Sequence, residues 1–133
     1  MKNFVVYETN GKILRAGSCL DSDISLQPKD ISESVIESTC NLETDYVLSG
    51  VITQRPTQAT LLDKTTLTAN GIDVIHITSA PDGIFTATNV VTGEMVSGSI
   101  SGSDTFSTTV KGTIKIKIEA FPYLDFEATV EVI

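Results

Sequence analysis

Residues 112–133 read GTIKIKIEAFPYLDFEATVEVI and alternate apolar with polar side chains almost without a break. Ile114, Ile116, Ile118 and Ala120 fall on one side, with Lys115, Lys117 and Glu119 on the other. After residues 121–125 the pattern resumes, with Phe126, Ala128, Val130 and Val132 against Glu127, Thr129 and Glu131. Side chains of a strand point to opposite faces with period two, so each half predicts a strand with one buried and one wet face. Joined by a short Pro-containing turn, the halves form an antiparallel hairpin whose apolar face needs a second layer. The C-terminal part of the chain is therefore expected to be a β-sandwich, with a small closed barrel as the alternative.

The rest of the chain agrees with an all-β reading. It has 133 residues, 41% of them apolar and no Trp, and it is rich in Thr, Ser, Ile and Val, a bias toward strands. From residue 65 onward, Asn70-Gly71, Pro81-Asp82-Gly83, Thr92-Gly93, Gly98, Gly102 and Gly112 punctuate the chain at sandwich-like intervals. Strands are predicted at 65–69, 73–78, 84–89, 95–100 and 105–110, ahead of the closing hairpin. This spacing predicts an Ig-like sandwich over residues 65–133.

Toward the N-terminus, Asn10-Gly11 separates two apolar-rich arms, 4–8 and 12–16, and predicts a tight hairpin with both central residues at positive φ. A lone hairpin is marginal in water, so it is expected to dock on something. Residues 20–34 are acidic and polar and read as a loop. Residues 34–37 predict a third strand, and 46–53 a hairpin or bent strand turning near Ser49-Gly50. A small antiparallel β module over residues 1–55 would hold Phe4, Val6, Ile13, Val35, Tyr46 and Val51 in its core. Pro56 and the lack of periodicity after it mark residues 56–64 as a linker.

Chemistry is weakly signalled. His76 is the only histidine and alternates with Ile75 and Ile77, which predicts a surface position on a strand rather than a catalytic base. Asp21 and Asp23 lack the Gly and Glu of a calcium loop, and the Gly/Ser run 97–103 has no Lys of a phosphate cradle after it. Cys19 and Cys40 read as reduced, structural thiols. No cofactor and no metal are expected, and an enzyme is not. A net charge of −8 argues against nucleic acid and against an anionic membrane surface as partner. No apolar run reaches the length of a transmembrane helix or a secretory leader.

Two sets of segments carry a resemblance. FVVYETNGKILRAGSC, followed by VIES and DYVLSGVITQRP, resembles the N-terminal module of small tailed-bacteriophage and prophage proteins, whose pattern is an acidic residue before the hairpin turn and an Arg after it. Those positions are Glu8 and Arg15 here, while the segment after Cys19 is acidic and Ser-rich where the pattern is Ala-rich. Residues 66–127 are similar to the Ig-like domains carried by such proteins and by bacterial surface proteins. The resemblance implies a virion component, made in the host cytoplasm and present in multiple copies, associated with tail, fibre or baseplate proteins. Alternatives are a capsid decoration protein, or a surface adhesin or carbohydrate-binding module gripping host glycan with loops 81–83 and 97–104. For the virion reading, the expected partner contacts are Phe4, Val6, Tyr7, Ile13 and Leu14 on exposed hairpin edges, with Phe121 and Tyr123 at an apolar tip.

Overall fold

Phe4, Val5 and Val6 follow one another in the chain, and all three are buried in the computed structural model, which describes residues 1–133. Neighbouring strand residues face opposite ways, so this strand is covered on both sides. It is β1 (Lys2–Glu8), the middle strand of an antiparallel sheet ordered β2-β1-β3, with β2 at Ile13–Cys19 and β3 at Glu33–Ile36. A 3₁₀ helix at Asp21–Leu26, within the segment expected to be a loop, lies against β1 and β3. A separate hairpin of β4 (Asp45–Leu48) and β5 (Val51–Gln54) lies with β4 against β2, and adds Tyr46 and Val47 to the buried set. The exposed β1 edge expected for a free hairpin does not exist, because β2 takes one side of β1 and β3 the other.

The turn chemistry is also redistributed. At Asn10-Gly11 only Gly11 has positive φ, at 92°. Its N–H donates to Glu8 C=O at 2.9 Å and the Glu8 N–H to Lys12 C=O at 2.9 Å, so the loop is a three-residue turn ending in a left-handed glycine. Gly11 is doubly required, since a Cβ there would lie 2.1 Å from the Val47 carbonyl oxygen. The turn with both central residues at positive φ is Ser49-Gly50, at 51° and 78°, which sets Leu48 opposite Val51. That pair sits at the hairpin tip, so Val51 is 63% exposed and is not a core residue as expected.

The chain divides into two compact units, Met1–Pro56 and Thr57–Ile133. Residues 56–64 are therefore not a linker as a whole. Gln58 and Thr60 are buried, and β6 (Leu61–Leu62) pairs with β8 (Ile75–Asn89) inside the second unit. The reason is long-range: Gln58 sets no periodic pattern, but its Nε2 donates to the carbonyls of Ile118 and Leu124, both at 2.9 Å, and ties the segment down.

The closing hairpin is present as β10 (Gly112–Glu119) and β11 (Phe126–Val132), with Ile114 opposite Val130 and Ile116 opposite Ala128. The inward residues Ile114, Ile116, Ile118, Ala120, Val130 and Val132 are buried, with Leu67, Ile75, Ile77, Ala87 and Ile100 around them. The sheet runs β6-β8-β10-β11-β7, with β7 at Thr66–Leu67, and β9 (Met95–Phe106) lies along β8. β7 is parallel to β11 and every other pair in this sheet is antiparallel. Residues 63–65 join β6 to β7, so the two ends of the strand order are held by neighbouring pieces of chain and the sheet curls into a half-barrel.

Pro81-Asp82-Gly83 and Gly102, expected as turns between strands, lie inside two long strands. Between Ile77 and Ala80, and again between Ala80 and Gly83, β8 spends three residues for every two on β9. Each extra residue is a bulge that bends and twists the strand, and Ser79 takes φ 58° there. Two successive insertions restore the original phase, which is why Ile75, Ile77, Ala87 and Asn89 all point inward although the bend lies between them. Gly83 lets β8 close onto β10, since a Cβ would stand 2.3 Å from the Glu119 carbonyl oxygen. The class is all-β throughout.

Candidate interaction surfaces

The residues expected to meet a partner fall into different environments. Phe4 and Val6 are core side chains of the first unit. Tyr7 and Ile13 are cross-strand partners and half-buried. Leu14 is exposed because the register moves from Val6–Arg15 to Tyr7–Ile13, leaving Leu14 as the extra residue of a bulge on β2. On the same strand, the Arg15 Nη2 donates to Gln27 C=O at 2.5 Å and to Glu33 Oε1 at 2.7 Å, which fixes the start of β3 relative to β2. Ala16, Gly17 and Ser18 continue β2 as small, exposed residues; no strand is paired to its outer edge, with β4 held beside its start by the Val47 N–H, which donates to Gly11 C=O at 2.9 Å.

Phe121 and Tyr123 belong to the second unit and are half-buried. The Tyr123 N–H donates to Ala120 C=O at 2.8 Å and Gln58 holds Leu124, so the aromatic turn folds back over the end of the sheet. Beside it, Lys117 lies 3.4 Å from Glu119 and 3.6 Å from Asp125, and these two carboxylates hold its ammonium above the usual lysine range. Lys117 also lines a shallow depression of about 560 Å³ on the outer face of β8, β10 and β11, with Thr86, Thr88, Lys115, Glu127 and Thr129. Both signs of charge line it, on an open, solvated face.

His76 is exposed, as its alternation predicts, and its ring Nδ1 lies 2.8 Å from Asp63 Oδ2 while its backbone N–H donates to Asp63 Oδ1 at 2.8 Å. The two bonds from His76 hold the Asp63 carboxyl below the usual carboxylate range. Cys19 and Cys40 are both free and half-buried. Burial, with Asp45 nearby, pushes the Cys40 thiol up, which lowers its thiolate fraction and its reactivity.

The feature not anticipated is β9. It pairs only with β8, so its other edge is open over twelve residues. Along it Ile100 is buried and Phe106 half-buried, while Met95 is 66% and Val96 56% exposed. A signal was present in the chain: no charge lies between Glu94 and Asp104, in a protein of net charge −8. Segments 81–83 and 97–104, expected as sandwich-rim loops, are strand interior, the first within the second β8 bulge and the second on β9 facing both bulges.

Compared with known proteins, the chain matches no family model, no curated protein and no solved structure.

Proposed function

We propose that this chain is a non-enzymatic structural component of a tailed-bacteriophage particle, joined to a tail, fibre or baseplate protein through its N-terminal unit. The sequence support is the N-terminal pattern around Glu8 and Arg15. The observation that carries the mode of attachment is the open outer edge of β2 on a sheet whose middle strand is buried on both faces. An extended segment of the partner would lie along Ile13–Cys19 and complete the backbone hydrogen bonds of that edge. The small side chains of Ala16, Gly17 and Ser18 allow close approach, and Leu14 offers an apolar contact at the bulge. Phe4 and Val6 act one step back, by holding in place β1, on which β2 is paired.

Deleting residues 1–18 would remove the central strand and unfold the unit, so it does not test attachment. The selective variants are Leu14→Glu and Ala16→Glu, both at exposed positions. Particles purified by density gradient from the strain that encodes the protein are to be assayed by immunoblot and mass spectrometry. The expected result is wild-type chain in the particles, and depletion of the double variant from them while its circular dichroism stays native. Wild-type chain left wholly in the soluble fraction overturns the particle reading; undiminished incorporation of the variant overturns attachment through β2. Immunogold labelling then separates tail from head, where a decoration protein would sit.

A further inference from the structure

We infer that the open edge of β9 is a self-association surface, on which a second copy of this chain adds its own β9 antiparallel, with Ile100 on the two-fold axis. This goes beyond the particle reading and rests on a different unit.

Residues 97–103 read SGSISGS, the same in both directions about Ile100. Two antiparallel copies centred there oppose Ser97 with Ser103, Gly98 with Gly102 and Ser99 with Ser101, so a two-fold interface repeats one self-complementary set of contacts. On the inner face each Ile100 meets its mate, with glycines diagonal to it that leave room for the branched side chain. On the outer face serine hydroxyls meet serine hydroxyls.

Gly98 supports a reason outside the single chain. Gly102 needs glycine for its own backbone, with φ 77°, but Gly98 is not in the left-handed region and has open space where a Cβ would stand. Neither conformation nor packing within the chain demands glycine there. A neighbouring backbone drawn against it would.

Charge selects the partner and the direction. A chain of net charge −8 repels its own copy over most of its surface, whereas residues 95–103 carry no charge of their own and the Asp82 carboxylate beside them is bound by the Ser101 hydroxyl, which donates to it at 2.5 Å. The only charge on β9, Asp104, faces Val96 in the antiparallel register. In a parallel, in-register pairing it would face another Asp104, which is unfavourable. The edge also lacks the Lys and Pro that commonly block strand addition.

Area sets the strength. Twelve residues span about 40 Å, and a strip about 10 Å wide covers about 400 Å² per copy, half of the roughly 800 Å² typical of a stable complex. A weak dimer follows, with Kd on the order of micromolar to hundreds of micromolar.

Sedimentation equilibrium of the full chain across that range tests the inference. A monomer–dimer equilibrium is expected, tightening as NaCl rises from about 20 to about 150 mM because screening relieves the shared negative charge. Ser97→Asp with Ser103→Asp places two like-charge pairs across the axis at exposed positions and should weaken the dimer about tenfold. Ser97→Asp with Ser103→Lys places two opposite-charge pairs there and should restore wild-type affinity or better. Rescue by the second variant separates a lost interface from a damaged fold. A chain that stays monomeric at every concentration overturns the inference, as does a dimer that both variants leave unchanged.

Discussion

Replacing Gln58 by Leu is the sharpest probe of how the second unit is held together. The side chain is 8% exposed, and its Nε2 donates to the Ile118 and Leu124 carbonyls at 2.9 Å each. Its Oε1 accepts from Thr60 Oγ1 at 2.7 Å. Leucine is close in volume and fills the space, so the cost is polar: three hydrogen bonds are lost and their partners stay inside. At about 1 kcal/mol net per bond the expected loss is about 3 kcal/mol. For a domain of this size that lowers Tm by about 12–24 °C. Gln58→Glu gives a second signature. Facing two carbonyl oxygens, the carboxylate is disfavoured, so its folded-state pKa rises above the ordinary value of about 4.3. The folded state then holds the proton longer than the unfolded one, and the penalty against wild type grows as pH rises through that range. Urea and thermal unfolding of the full chain by far-UV circular dichroism, at about pH 4 and pH 7, reads both effects. A Gln58→Leu loss below about 0.5 kcal/mol, or a Gln58→Glu penalty independent of pH, would refute the assignment of Gln58 and Thr60 to this unit's buried interior.

Gly83→Ala should cost about 1–3 kcal/mol, because the new methyl meets the Glu119 carbonyl oxygen at 2.3 Å and the Ala120 Cβ at 2.8 Å and the backbones must part. Gly98→Ala, with open space at its Cβ, should stay within about 0.5 kcal/mol in dilute monomer, and equal losses in the two would contradict the close β8–β10 approach. Ser49→Asn should stabilise the first unit by a few tenths of a kcal/mol or more, roughly, since Asn tolerates φ 51° better than Ser; a decrease in its urea midpoint would argue against the two-residue turn. Asp63 is depressed by its bonds to His76, so its contribution is complete above the ordinary carboxylate range and is lost as pH falls through that range to the lower folded value. Asp63→Asn should flatten that part of the acid stability profile, measured from about pH 5 down to pH 2, and an unaltered slope would disprove the pairing.

The parts of the fold that were legible are those where one physical rule acts alone. In β10 and β11 a single buried face sets the period, and every inward residue from Ile114 to Ala120 is buried. The β8 bulges were not legible, because Pro81-Asp82-Gly83 has the same composition whether the chain turns back or only bends. What decides is that β9 continues past it on the far side, a long-range pairing no local window contains. Gln58 was missed for a related reason: a buried polar residue that satisfies carbonyls sixty positions away looks like part of a loop. On the interaction surfaces, the hairpin at Asn10-Gly11 was visible, but not that β3 would occupy the second side of β1. The consecutive buried run of Phe4, Val5 and Val6 was the available sign, since a strand with one wet face would not carry it.

Edges then become the place where structure and function meet. In the second unit, the strand order ends in β6 and β7, each only two residues long, and such short edges give an incoming strand little to pair with. β8 is covered on both sides, by β9 along one and by β6 and β10 along the other. β11 is paired by β7 only at Glu131 and Val132, and β9 is the longest open edge, uncharged from residue 95 to 103. In the first unit the same contrast holds between β1, paired on both sides, and β2, open along a run of small residues. Nothing in the packing of a single chain requires a twelve-residue edge to be left free, whereas assembly through strand addition does. The longest open edge of each unit is thus given its own occupant: for β2 a different protein, for β9 another copy of the same chain.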